Sequence, residues 1–162
     1  MLDALSYPLD TKIILRKKNQ LKKELINKEN LQNLNIAILG GSTTDEIKKV
    51  LEIFLLKNSI KPKFYESDYN KFYEDSVFEN KKLKKFKPQI IYIHTSCVNI
   101  TKYPNINNNE NEINLMIENE FNRFKNIWSG LKKYQCNIIQ NNFELPHERP
   151  LGNLDFTDIR GQ

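Results

Sequence analysis

The stretch that most constrains this chain is Leu-Asn-Ile-Ala-Ile-Leu-Gly-Gly-Ser-Thr-Thr, residues 34–44, where a short apolar run breaks at two glycines and delivers three hydroxyls. The branched aliphatics Ile36, Ile38 and Leu39 predict a buried strand over residues 34–39. Gly40-Gly41 predicts a turn that brings backbone close to whatever binds there. A helix is expected to start at once. Thr43 with Glu46 three residues on fits a capping box, and Ile47, Val50, Leu51, Phe54 and Leu55 recur at helical spacing. This order puts Ser42 at the mouth of a strand-turn-helix, where free backbone N–H groups and the positive helix end favour an anion or a developing oxyanion. The same residues also suit a plain tight turn and helix cap with no chemistry attached.

The rest of the chain repeats the alternation. Asp10 is placed to cap a helix through Ile13, Ile14, Leu21, Leu25 and Ile26 that packs outside the sheet. Ile60-Lys61-Pro62 ends the helix of residues 44–58, and Lys63-Phe64-Tyr65-Glu66 reads as a second strand. A short helix is expected around Phe72, Tyr73 and Val77, then a lysine-rich segment around Leu83 and Phe86. A third strand covers residues 89–93, and an Asn-rich mobile loop covers residues 103–111. The positions Ile113, Met116, Ile117, Phe121, Phe124, Trp128, Leu131 and Tyr134 hold one face of a long helix and are read as core. A fourth strand covers residues 136–140, and the remaining residues from Leu151 onward contain no complete element.

Strands alternating with helices predict an α/β fold, a three-layer α/β/α sandwich on a mainly parallel, incomplete sheet. In such sheets ligands bind at the carboxyl ends of the strands. The four expected strand ends are all polar: residues 40–44, 66–70, 94–99 and 141–143. They supply the candidates Gly41, Ser42, Thr43, Asp68, Asn70, His94, Ser96, Asn99 and Asn141.

Composition narrows the classes. With 162 residues, 39% hydrophobic and 28% charged, one globular domain is expected, with residues 1–33 a basic helical segment packed into the same unit as residues 34–162. No apolar run approaches the roughly 20 residues of a bilayer span. No secretory leader pattern is recognisable and Cys97 and Cys136 make no disulfide framework, so a cytoplasmic location is expected. The net charge of +5 is local: seven cations in residues 11–30 face only Glu24 and Glu29. That is read as a solvated helix face rather than a nucleic-acid surface.

Most motif-based chemistries are excluded by spacing. Gly40-Gly41-Ser42-Thr43-Thr44 is neither a dinucleotide fingerprint nor a P-loop. Two histidines and two cysteines at scattered positions give no zinc spacing. Asp155-Phe156-Thr157-Asp158 does not match the D-x-D-x-[TV] of a haloacid-dehalogenase phosphatase and follows no strand. Nucleophilic attack by Ser42 remains, and it requires a base and oxyanion donors. His94 is the candidate base, Asn70 and Asn99 are candidate donors, and His147 sits in a loop after Pro146. A lone histidine at a strand end equally suits a structural hydrogen bond.

Four segments in order resemble the N-terminal region of FkbH-like proteins: Ile-Ala-Ile-Leu-Gly-Gly-Ser-Thr-Thr at 36–44, Phe-Tyr-Glu-Ser-Asp-Tyr-Asn at 64–70, Ile-Ile-Tyr-Ile-His-Thr-Ser at 90–96, and Asn-Asn-Phe-Glu-Leu-Pro at 141–146 followed by Leu-Gly-Asn-Leu-Asp. That family carries an SGNH-hydrolase-like domain, flavodoxin-like in architecture, ahead of a haloacid-dehalogenase-type domain. The resemblance implies that Ser42 holds the place of the SGNH nucleophile and Asn99 that of the Asn in G-x-N-D. It implies handling of an acyl, glyceryl or phosphorylated group in transfer to an acyl carrier protein or a glycan. The alternative is a non-catalytic module that docks a carrier protein or the downstream domain. Gly41 stands where Asp is usual, and no D-x-x-H precedes Gln162, so catalysis by this chain alone is left open. No cofactor or metal is expected in this chain. Magnesium would belong to a downstream phosphatase-type domain.

Overall fold

The computed structural model describes residues 2–146, 149 and 151–160. Four strands, β1 (Gln32–Gly40), β2 (Ile60–Glu66), β3 (Ile90–His94) and β4 (Asn137–Gln140), form one sheet in the order β2-β1-β3-β4. Every pairing is parallel. The central strand β1 is buried from Ile36 to Gly40, as a strand covered on both faces must be. Its register sets Ile36 against Phe64 on one side and Ile90 on the other, and brings Gly40 level with His94.

Alternation along β1 sends side chains to opposite faces. Ala37 and Leu39 join Ile91 and Ile93 of β3 in a core closed by Phe72 of α4 (Phe72–Val77), Leu83 of α5 (Lys81–Phe86), and Phe124, Ile127 and Leu131 of α6 (Glu110–Leu131). Helix α3 (Asp45–Lys57) covers the other face, giving the three-layer α/β/α arrangement. A second core lies outside α3. There Ile53 and Leu56 meet Ala4, Leu5, Ile14 of α1 (Thr11–Arg16), and Leu21 and Leu25 of α2 (Lys18–Ile26).

Several local expectations change. The basic segment is two helices, split at Lys17, with Asp10 Oδ1 accepting from the Ile13 N–H at 2.9 Å. Two of its lysines are not free: Lys18 pairs with Glu46, and Lys22 with Glu52 at 2.7 Å. The Thr43–Glu46 capping box does not form, because Thr44 is the N-cap and its hydroxyl donates instead to Glu66 Oε2 at 3.1 Å. Glu66, which Lys48 also engages, supplies the acceptor that the Thr44 hydroxyl proton needs, since a helix start presents only N–H donors. The residues of α3 that are fully buried are Ile53 and Leu56, while Ile47, Val50, Leu51, Phe54 and Leu55 are half-buried between the sheet and the N-terminal helices.

Pro62 does not precede the second strand but lies within it, which is allowed because β2 is a sheet edge. The capping box that does form is Asn109 with Glu112, so α6 begins inside the stretch read as loop. The long-helix face is not all core: Ile117 is 61% and Phe121 50% exposed. Among the described residues no helix is long and apolar enough to cross a membrane.

Close packing between α6 and α4 explains Gly130. A Cβ added there would sit 2.4 Å from the Ser76 carbonyl oxygen, a backbone atom that cannot swing aside. Gly130→Ala gains about 1 kcal/mol of helix propensity but suffers overpacking of about 1–3 kcal/mol. Denaturant unfolding is expected to show a net loss of up to about 2 kcal/mol, and a variant more stable than the parent would contradict this packing.

Candidate functional site

The polar ends of β1, β2 and β3 meet around Gly41. The Gly40 N–H donates to Ser67 Oγ at 3.0 Å, and the Ser67 N–H to the Ile38 carbonyl at 3.0 Å, which ties the end of β2 to β1. The Gly41 N–H donates to the His94 carbonyl at 2.8 Å, so the β1–β3 ladder runs one residue into the turn. Asn99 closes the arrangement. Its Nδ2 donates to the Gly41 carbonyl at 2.9 Å and to Asn70 Oδ1 at 3.3 Å, while its Oδ1 accepts from the Ser96 N–H at 2.9 Å.

This contact explains the glycine. A Cβ on Gly41 would lie 2.4 Å from Asn99 Oδ1, 2.6 Å from Cγ and 2.7 Å from Nδ2. An aspartate at position 41 is incompatible with Asn99 in this place. The residue at position 41 is thus coupled to the position of Asn99.

Ser42 is half-buried and Thr43 exposed beside this contact. Among the described residues no hydrogen bond engages Ser42 Oγ, and none joins it to His94. The His94 Nδ1 lies 3.2 Å from the Tyr92 hydroxyl instead. Burial holds the His94 pKa below its ordinary 6.5, with the nearby Glu144 carboxylate opposing the shift. The imidazole is therefore neutral at pH 7, as a general base must be, but it is not aimed at the serine. His147 lies outside the described residues.

The other candidates divide. Asn141 is consumed in tying β4 to β3: its Oδ1 accepts from the Thr95 N–H at 2.9 Å and its Nδ2 donates to the Thr95 carbonyl at 2.6 Å. Asp68 lies away from the Gly41 contact, in a hollow of about 410 Å³ shared with Tyr65, Glu74 and Asp75. Asn70 and Ser96 stay with Asn99.

Sequence reasoning missed the support behind Asn99. Arg123 of α6 donates from Nη2 to the Asn99 carbonyl at 2.5 Å and pairs with Glu120, which also accepts from the Thr101 hydroxyl at 2.6 Å. Arg123 stood on the polar side of a helix chosen for its apolar stripe, and nothing local marked it. Cys97 is also adjacent, its thiol 3.4 Å from Glu144 Oε1. Burial and that carboxylate raise its pKa, which keeps it a thiol and makes it a poor nucleophile.

The charge at the mouth is specific too. The first turn of α3 carries Asp45 and Glu46, and both are ion-paired, Asp45 with Lys48 and Lys49, Glu46 with Lys18 and Lys49. Among the described residues no three His, Cys, Asp or Glu side chains converge as a metal ion requires, so no step through magnesium is derived.

No protein-family model matches this sequence, and no curated protein is significantly similar to it. The fold is similar to the crystal structure of the N-terminal part of the protein BF1531 from Bacteroides fragilis, which contains a phosphatase domain complexed with Mg, with a TM-score of 0.67 at 15% identity. The likeness covers 89% of this chain and 38% of that one, so the chain spans well under half of its neighbour. At that identity the likeness is one of fold.

The His94 environment gives a pH prediction. A pKa depressed in the folded state means that the unfolded chain binds more protons, so this contribution to stability is complete above the unfolded value of about 6.5 and is lost as pH falls below it. His94→Gln is expected to flatten the fall in thermal midpoint between about pH 7 and 5. An unchanged slope would show that His94 does not titrate with folding.

Proposed function

We propose that this chain is the substrate-holding α/β module of an FkbH-type biosynthetic protein. Its mouth at Gly41, Ser42 and Thr43 holds an acyl, glyceryl or phosphorylated group in transfer to a carrier protein or glycan. The observation that carries the reading is the Gly41–Asn99 contact, which sets two amide side chains and the Ser42 hydroxyl at the carboxyl edge of a parallel sheet. That edge is where doubly wound sheets bind ligands. The four sequence segments that resemble the family, and the fold shared with a protein that contains a phosphatase domain, support the same reading.

Transfer of the group to carrier protein, measured with Ser42→Ala in the full-length protein, tests the role of the serine. If Ser42 is the nucleophile, the rate is expected to fall by about 10²-fold or more. Unchanged transfer would exclude that role and leave Ser42 as a lining residue.

A second reading, a recognition module that docks an acidic carrier protein, is favoured because no base among the described residues hydrogen-bonds Ser42. The basic helices then supply the surface, through those lysines that α3 does not consume. Reversing the charges of Lys17 and Lys23, which enter none of the ion pairs among the described residues, is expected to weaken carrier binding several-fold at low salt and less at high salt. Titration that is indifferent to both changes would reduce the helices to a solvated face. Lys18 and Lys22 are unsuitable for this test, since reversing them also breaks their pairs with Glu46 and Glu52.

A further inference from the structure

The stripe of α6 that was expected in the core lines an open groove of about 480 Å³. Its walls are Met116, Ile117, Phe121 and Trp128 on one side, and Phe143 and Leu145 of the segment that leaves β4 on the other. Ile117 and Leu145 are each 61% exposed and Phe121 50%, an outlay of apolar surface that a soluble fold leaves bare only where something binds. The aromatic walls are held rather than loose. Phe121 and Phe124 both pack on Trp128, Phe143 meets Phe124 edge-on at 5.4 Å, and Trp128 Nε1 donates to Gln140 Oε1 at 2.7 Å.

The charges along the groove are unequal. Glu120 is paired with Arg123 and accepts from the Thr101 hydroxyl, while Glu144 keeps its charge and accepts from the thiol of Cys97. Lys102 also lines the groove and, among the described residues, has neither an ion pair nor a side-chain hydrogen bond. A groove of this volume, mostly apolar with a few polar groups at its rim, has the character of a small-ligand site. It also lies at the carboxyl edge of the sheet: the segment after β3 that carries Asn99 continues directly into Ile100, Lys102 and Tyr103 of its wall, and the Tyr103 hydroxyl donates to the Cys97 carbonyl at 2.7 Å.

The geometry points to a ligand site in this groove for a linear apolar chain with an anionic head, the chain lying along Ile117, Phe121 and Trp128 and the head at Lys102. A medium-chain carboxylate is the simplest member of that class. The site is separate from the hydroxyl of Ser42 and does not require Ser42 to be a nucleophile.

Trp128 is the single tryptophan of the chain and stands in the groove wall, so its fluorescence reports occupancy directly. Titration of the protein with decanoate is expected to change Trp128 emission saturably with one equivalent bound. Phe121→Ser and Ile117→Ser remove exposed side chains and leave the far-ultraviolet circular dichroism unchanged, and each is expected to weaken binding about tenfold. Lys102→Gln is expected to weaken decanoate roughly threefold and leave decanol unaffected. A response that never saturates, or one that the groove variants leave intact, would overturn the site. So would an emission change that follows protein concentration alone with a dimer mass by light scattering, because a second copy of the chain would then cover the groove. The readout is binding only, so failure here leaves the transfer role of Ser42 standing, and loss of transfer in Ser42→Ala leaves the groove standing.

Discussion

The structure depends on burying β1 between two parallel neighbours. Ile36 to Leu39 have no exposed face, so every polar obligation of that strand is met along its edges by β2 and β3, and both neighbours run the same way. Parallel alignment puts the carboxyl ends of all strands on one edge, and there the chain must turn away while its backbone groups are still committed. Gly40 and Gly41 make that exit. One N–H is satisfied by Ser67 and the other by the His94 carbonyl, and the Gly41 carbonyl accepts from Asn99. The bonds reach the ends of both β2 and β3, so the exit from β1 is also the point where the edge is assembled.

Asn99 is the hinge between this edge and the helical layer. Its amide is spent on Gly41, Asn70 and Ser96, and its carbonyl on Arg123. Arg123 is fixed in turn by Glu120 and lies 4.9 Å from the Phe124 ring centroid, within cation–π reach. A side chain with its polar atoms satisfied this fully has a defined position. His94 fits the same pattern: burial keeps it neutral and Tyr92 keeps it oriented.

The two apolar systems differ in what they cover. The core between the sheet and α4, α5 and α6 is closed, and so is the one between α3 and the N-terminal helices. The outer stripe of α6 is not closed, and it stands beside the polar edge rather than opposite it. An apolar groove and a polar mouth that share the segment after β3 form a surface suited to an amphiphilic molecule, polar where the strands end and apolar along the helix.

What the sequence determined by itself is periodic or local. Branched aliphatics in short runs placed all four strands to within a few residues, and the 3.6-residue spacing found α3 and α6, because these patterns follow from how a single element is half or wholly buried. The polarity of the strand ends gathered the candidate residues on one edge of the sheet for the same reason. What only the tertiary structure decided is which polar groups meet. Thr44 bonds Glu66 rather than capping its helix, Asn141 is used up on Thr95, and Asn99 rests on Gly41 some 58 residues away. The division of the α6 stripe into core and groove was equally out of reach, because Ile117 and Ile127 are the same residue type on the same helix. Their difference lies in whether another element happens to stand over them, which depends on contacts distant in sequence that no local pattern encodes.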